Sequence, residues 1–445
     1  MLAAIRESNR KIESRLEGLL MLIKRIPLTS MKQAMPVLID QGVGSLSFFL
    51  LGAILARAVD KESFSIYLLA NTVILILLGF QRALITTPFA IIFPRKLESG
   101  NEEYFGNILV LHLVFVCILI IIFFGYAITP LQIIGGNELM TVLVVLAATI
   151  GHSFYSFLKF TYLAKLKNIR NMWLGLLANP LLVVIAYGLY MHNHLTVYAA
   201  FLIVGVSYLL VSSIFWILLI KESGLMTKGI VGSLRAHWQL GKWVAGSNIA
   251  FMLSSQIFPW LLLLFSTREH VAEFGVVMGA ARLLAPLAQG LSSFLLPKFA
   301  HTCNDKRKFR DSLLVSVGSM AAFAFILAAI GLFFGEEIVV LLYSERYSGL
   351  GDLVFIAFLL QGINFVNVPV DSALNALART DIGFRSLVLS AFVAITGGVL
   401  FTWKFDVLGA CIGVLLAGFI GVLYRVVVLK KIMEEAMYED RVRYS

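Results

Sequence analysis

Twelve stretches of about 20 mostly apolar residues run along the chain, and a short polar segment follows each. They cover roughly residues 37–58, 66–93, 105–128, 139–163, 172–191, 196–220, 240–265, 271–296, 312–334, 350–375, 384–403 and 406–429. At about 1.5 Å per residue each is long enough to cross the hydrocarbon core as a helix. The predicted fold class is therefore all-α, a polytopic membrane protein of about twelve spans. No connection between spans is long enough to fold as a domain of its own.

Composition agrees. Hydrophobic residues make up 59% of the chain and charged residues 14%, where a soluble domain needs about a quarter charged to wet its surface. Lys and Arg divide unevenly between alternate connections. Twenty-nine fall on the side of both termini and five (Arg57, Lys61, Arg268, Arg346 and Lys404) on the other. Basic residues are retained on the inner side, so both termini are expected in the cytoplasm. The net charge of +10 is mostly this excess, which suits an anionic leaflet. A nucleic-acid partner would need a solvated basic domain, and none is predicted. Residues 5–27 place Ile5, Ile12, Leu16, Leu19, Leu20, Ile23 and Ile26 at helical spacing among charges, which reads as an amphipathic surface helix. Those charges leave no room for a cleavable signal. Cys117, Cys303 and Cys411 are too dispersed for a disulfide framework or a metal site, and no cofactor is expected.

Spans 1–2 and 7–8 echo each other. Gly44-Ser45 then Phe48 parallels Gly246-Ser247 then Phe251, Phe64 parallels Phe274, and Pro94-Arg95 parallels Pro297-Lys298. Arg82 and Arg282 fall mid-span in the matching helices. The echo predicts a 6+6 pseudo-repeat of two bundles around a central cavity. The expected division is a lead-in at 1–36, bundles at 37–220 and 240–430, a glycine-containing linker at 221–239 and a tail at 431–445.

Charges inside a bilayer are costly enough that they face a cavity or a partner. Arg82 and Arg282 lie about 10 to 15 residues from their inner ends, roughly 15–22 Å deep. Each fits either a cavity guanidinium that grips an anion or a locking charge paired with an acid. Gln81 and Gln289 flank them. Only Asp40 and Asp371 are expected at a depth to pair with them. Span 10 carries Gln361, Asn364, Asn367, Asp371 and Asn375 within about 120° of one face, which suits a cavity wall or an interhelical contact. His152, Tyr155, Ser156 and Lys159 share a face of span 4, the matching helix. Asp40 fits a coupling site for a proton or cation, or an acid stabilised by the N-terminal dipole of span 1. His112 fits packing or proton carriage. Gly409, Gly413, Ala417 and Gly421 form a small-residue face for close helix packing.

Several motifs resemble bacterial polysaccharide (O-antigen type) flippases of the multidrug/oligosaccharidyl-lipid/polysaccharide exporter superfamily. They are Asp40-Gln41, Leu55-Ala56-Arg57, Gln81-Arg82-Ala83-Leu84 before Pro88, and His237-Trp238 with Gly241-Lys242-Trp243. Arg282-Leu283 with Pro286, Leu296-Pro297, and Leu342-Tyr343 with Arg346-Tyr347 continue the likeness across about residues 37 to 430. The resemblance implies a non-enzymatic flippase that moves a polyprenyl-diphosphate-linked oligosaccharide outward by alternating access. Arg82 and Arg282 would meet the anion, with Gln81, Gln289, Asn364, Asn367, His152 and Lys159 as further substrate contacts. Asp40 and Asp371 become ion-coupling candidates. Its expected partners are the anionic lipid-linked saccharide, membrane lipids, and the polymerase and glycosyltransferases of polysaccharide assembly. Two rivals stand beside this reading. A multidrug cation exporter of the same superfamily should prefer acids in its cavity, and a saccharide polymerase or ligase should need a large outer loop.

Overall fold

The computed structural model describes residues 28–98, 103–128, 138–223, 227, 229–303 and 305–443. The amphipathic segment expected at 5–27 lies outside them. Apolar sequence of spanning length becomes helix because a bilayer leaves backbone N–H and C=O groups no partner but each other. The helices are α1 (Leu28–Ala58), α2 (Lys61–Gln81, then a π-turn Arg82–Thr86, then Thr87–Glu98), α3 (Glu103–Ala127) and α4 (Glu138–Ala164). They continue with α5 (Asn168–Met191), α6 (Val197–Ser223), α7 (Ile230–Ser255 and Phe258–Phe265) and α8 (Arg268–Arg282 and Ala285–Thr302). After α9 (Lys306–Leu342) and α10 (Gly351–Ala376), one run spans Thr380–Val393, a π-turn Ala394–Gly398 and Val399–Arg443.

Among the described residues ten helices are long and apolar enough to cross a membrane, and the two arms of α7, bent by 46°, make eleven. The longest holds two spans, because Phe405 and Asp406 leave helical geometry inside it and Asp406 has a φ of 47°. Its arms are α11 and α12. Twelve crossings result, in register with the twelve predicted, and the chain is a multi-pass membrane protein.

Within the first half α1 packs on α5 and α4 on α6. Gly151 of α4 meets Gly205 of α6 so closely that a Cβ on Gly151 would lie 2.4 Å from the Gly205 carbonyl oxygen. In the second half α9 lies along α10, and α10 and α11 flank α12. The small-residue face of α12 does the packing its spacing predicts. Gly413 abuts Gly398 of α11 and Phe258 of α7, and Gly421 abuts Ser386 and Ser390.

The halves meet along α2 and the first arm of α8, the two helices that carry the intramembrane arginines. At one end Lys61 pairs with Glu273 at 2.7 Å and Trp260 Nε1 donates to Thr72 Oγ1 at 2.9 Å. Arg57 Nε donates to the Leu342 carbonyl at 3.2 Å, and Arg346 reaches the Val59 carbonyl in return. Asp60 caps α2 between these contacts, and the Ser63 backbone N–H holds its carboxyl below the usual range.

The expected linker is shorter than its range, because α7 begins at Ile230, ten residues before the predicted span. Its first turns bury Ser233, His237 and Gly241. Asn107 Nδ2 donates to Ser233 Oγ at 3.0 Å. His237 Nδ1 lies 3.1 Å from the Leu84 carbonyl and Nε2 lies 2.6 Å from the Tyr104 hydroxyl. A carbonyl only accepts, so Nδ1 carries a proton and donates it to Leu84. Thus the inner turns of α7 are bonded to the first half, while its first arm also packs along α11 and its second arm belongs to the second half. Hydropathy could not show this, because these turns carry Arg235, His237 and Lys242 and dilute the apolar signal.

The Gly151–Gly205 contact is backbone to backbone and cannot be relieved by a rotamer change. Gly151→Ala should destabilise the protein by about 1–3 kcal/mol as an overpacked contact. Gly125→Ala, where a Cβ meets nothing within 4 Å, should not. Thermal unfolding of the two variants in detergent compares them directly.

Candidate functional site

Both intramembrane arginines stand at a fault in their helix. Arg82 opens the π-turn, where the Thr87 N–H bonds back to the Arg82 carbonyl. Arg282 ends the first arm of α8, which turns at Leu283 and Leu284 and resumes at Ala285 with Pro286 in its first turn. Such faults re-aim a side chain and cluster at functional sites. The expected pairing of the two spans gains a shared irregularity as well as a shared residue.

Arg282 lies within the helical bundle, yet its side chain is exposed. It lines a cavity of about 430 Å³ enclosed by α7, α8, α10, α11 and α12. Gln361, Asn364, Asn367, Ser386 and Arg425 share the wall. Among the described residues Arg282 has neither an ion pair nor a hydrogen bond, and a guanidinium stays charged at any physiological pH. An unpaired cation in an open polar chamber favours an anion.

The polar stripe of α10 divides. Gln361, Asn364 and Asn367 enter the cavity wall, as one of its two readings expects. Asp371 turns to Arg425, with Oδ1 3.0 Å from Nη1, and Asn375 Nδ2 donates to its other oxygen at 3.0 Å. Arg425 was grouped with the inner-side bases and its place in the cavity was not foreseen. The signal was present: Gly409, Gly413, Ala417, Gly421 and Arg425 keep a four-residue period, so Arg425 continues the inward face of α12.

Other expected contacts lie elsewhere. Arg82 is exposed, with its guanidinium 5.3 Å from the centre of the Phe160 ring, and is not in the wall of the 430 Å³ cavity. Gln81 is fully buried, and its Nε2 donates to the Ser153 carbonyl at 2.9 Å and contacts His112 Nδ1 at 3.3 Å. It ties α2 to α3 and α4 and does not face a cavity. His112 is buried with it, stacked on Phe157 at 4.4 Å, a packing residue. Gln289 is exposed on the second arm of α8, outside this cavity wall.

His152 belongs to an aromatic cluster of the first half, 5.6 Å from Phe48 and 5.0 Å from Tyr208. Lys159 is committed to Asp40 at 2.8 Å and lies 5.5 Å from the Tyr155 ring. Asp40 is 1% exposed, accepts from Asn171 Nδ2 at 2.9 Å, and fits over Gly175, where a Cβ would lie 1.8 Å from its Oδ1. The helix-dipole account of Asp40 fails. Because α1 starts at Leu28, Asp40 is about three turns inside the helix, beyond the reach of its N-terminal field. Neither acid serves the arginines of α2 and α8. Asp40 neutralises Lys159 and Asp371 neutralises Arg425.

No family model matches the sequence, and no curated protein matches it. Solved structures do. A multidrug resistance MATE family transporter of the MOP superfamily, in an inward-facing conformation, aligns with a TM-score of 0.71 at 13% identity, covering 91% of this chain and 98% of its own. The lipid II flippase MurJ in an inward closed conformation aligns at 0.66 and 13% identity, over 90% and 87%. A mutant of the Vibrio cholerae MATE transporter VcmN aligns at 0.62 and 17% identity, over 91% and 96%. The fold is that of the MATE and MOP-superfamily transporters.

A buried acid deprived of its base is an uncompensated charge. Asp40→Asn or Lys159→Met alone should each cost about 3 kcal/mol, the low end for a broken buried pair because Lys159 is 22% exposed. The double variant should recover most of that loss. A double-mutant cycle of thermal unfolding measures the coupling, and simple additivity of the two losses would contradict it.

Proposed function

We propose that this chain is a non-enzymatic flippase. It carries a polyprenyl-diphosphate-linked oligosaccharide from the inner to the outer leaflet of a bacterial plasma membrane by alternating access, with both termini in the cytoplasm. The observation that carries the reading is Arg282, a guanidinium without an acid in a polar chamber whose neighbouring carboxylate, Asp371, already serves Arg425. A diphosphate supplies the charge and the multiple acceptors that a guanidinium fork matches. The resemblance of Arg82, Arg282 and their flanking motifs to polysaccharide flippases supports it, as does a fold shared with a lipid II flippase. Polymerases and glycosyltransferases of the same pathway are its proposed partners.

A multidrug cation exporter is the second reading, favoured by the fold shared with MATE transporters. Cavity charge speaks against it. A cation carrier needs an available acid, and both membrane-depth acids are occupied by bases of this chain.

Arg282→Ala and Arg82→Ala should each abolish polysaccharide display at the cell surface while the protein persists in the membrane. Immunoblotting of surface polysaccharide and of membrane fractions measures both. Normal display in both variants, with a deletion strain that becomes drug-sensitive, would favour the exporter.

Alternating access requires the halves to part where Lys61 meets Glu273 and Trp260 meets Thr72. In a background lacking Cys117, Cys303 and Cys411, Lys61→Cys with Glu273→Cys, bridged by a short thiol-specific cross-linker, should stop display. Reducing the linkage should restore it. Continued display by the cross-linked protein would show that these ends need not separate.

A further inference from the structure

The cavity of the second half holds two guanidiniums in different electrical settings. Arg282 has no partner among the described residues, whereas Arg425 is held by three bonds. Its Nε donates to Ser386 Oγ at 3.0 Å, and its Nη1 donates to Asn367 Oδ1 at 3.2 Å and to Asp371 Oδ1 at 3.0 Å. No partner is recorded for Nη2. The pair is close to neutral, so it adds little attraction for an anion. It offers instead a fixed donor beside a carboxylate that is 39% exposed.

That arrangement matches neutral vicinal hydroxyls, each of which both donates and accepts. In the wall itself the Arg425 guanidinium donates and the primary amides of Asn364 and Asn367 supply further polar groups, while Asp371, outside the wall, fixes Arg425. Asn364 is exposed in the same wall, held only by a 3.4 Å contact to Gln361. Because Arg425 is already fixed, little side-chain freedom is lost when a ligand bonds to it. The volume of about 430 Å³ is near the low end of the ~300–1,000 Å³ of small-molecule sites. It suits one sugar and a phosphate group, not an oligosaccharide chain.

Resting on the flippase reading above, we infer that Arg425, held in place by Asp371, forms a monosaccharide subsite with Asn364 and Asn367. It hydrogen-bonds the sugar joined to the diphosphate that Arg282 holds. Asp371 thereby leaves the set of ion-coupling candidates, since a guanidinium 3.0 Å from its carboxylate repels a coupling cation.

The test uses the full chain purified in detergent, with binding read by tryptophan fluorescence. The probes are farnesyl diphosphate and its conjugates with N-acetylglucosamine, N-acetylgalactosamine, glucose and galactose. The wild-type protein should bind at least one conjugate about tenfold more tightly than farnesyl diphosphate. Asn364→Ala should remove that preference with little change in affinity for farnesyl diphosphate, whereas Arg425→Gln should remove the preference and, by leaving Asp371 uncompensated, weaken every diphosphate probe. Arg282→Gln should weaken every probe alike. Asn364→Ala leaves the bonds of Arg425 intact, so it decides the matter even where Arg425→Gln does not fold. A sugar preference that survives Asn364→Ala and Arg425→Gln, or no preference in the wild type, overturns the subsite and spares the flippase reading. Failure of the wild-type protein to bind any probe overturns both.

Discussion

Every charge inside the bilayer has to be answered, by an opposite charge, by water or by a ligand, because hydrocarbon offers it nothing. This constraint orders the interior of the protein. Lys159 is answered by Asp40 and Arg425 by Asp371, each across two helices, so the two pairs also fasten their bundles. Arg282 is answered by neither, and it lines an open chamber with Asn364, Asn367 and Arg425. The balance of fixed charge, more than the fold, points to what can enter. The same helical scaffold serves proteins named for multidrug resistance and a protein named for lipid II.

The architecture was largely legible in the sequence, because a bilayer converts hydropathy almost directly into helices. Twelve apolar runs became twelve crossings. Periodicity in α12 foretold a face that packs against Gly398 and Phe258, and the stripe of α10 yielded three cavity residues. Where reading failed, the reason is that one-dimensional spacing does not show which helices are neighbours. Lys159 and Asp40 are 119 positions apart, and nothing local announces their contact. Gln81 stands beside Arg82, yet consecutive residues on a helix point about 100° apart, so one is buried among α3 and α4 while the other is exposed. Arg425 was hidden by its position near the end of a span, where a base is ordinarily read as an anchor at the interface.

The structure also clarifies what the halves share. Their matching helices α2 and α8 are each interrupted at an arginine, in one case by a π-turn and in the other by a two-residue turn, still in right-handed backbone geometry, ahead of a proline. Different local devices thus produce the same outcome, an arginine at a break in the middle of a membrane-crossing helix. The environments have diverged more than the backbones. The first half surrounds its polar residues with Phe48, His152, Tyr155 and Tyr208, while the second keeps an open polar chamber.

Helix α7 imposes a mechanical consequence. Its inner turns are bonded to Tyr104, Asn107 and Leu84 of one half, and its far arm is packed into the other. Between these attachments the first arm also packs along α11, and the direction of the helix changes at the 46° joint around Gln256 and Ile257. Gln256 also forms part of the chamber wall. Any change of angle at that joint would therefore move a residue of the chamber wall, so the geometry of the chamber is tied to the bend of α7.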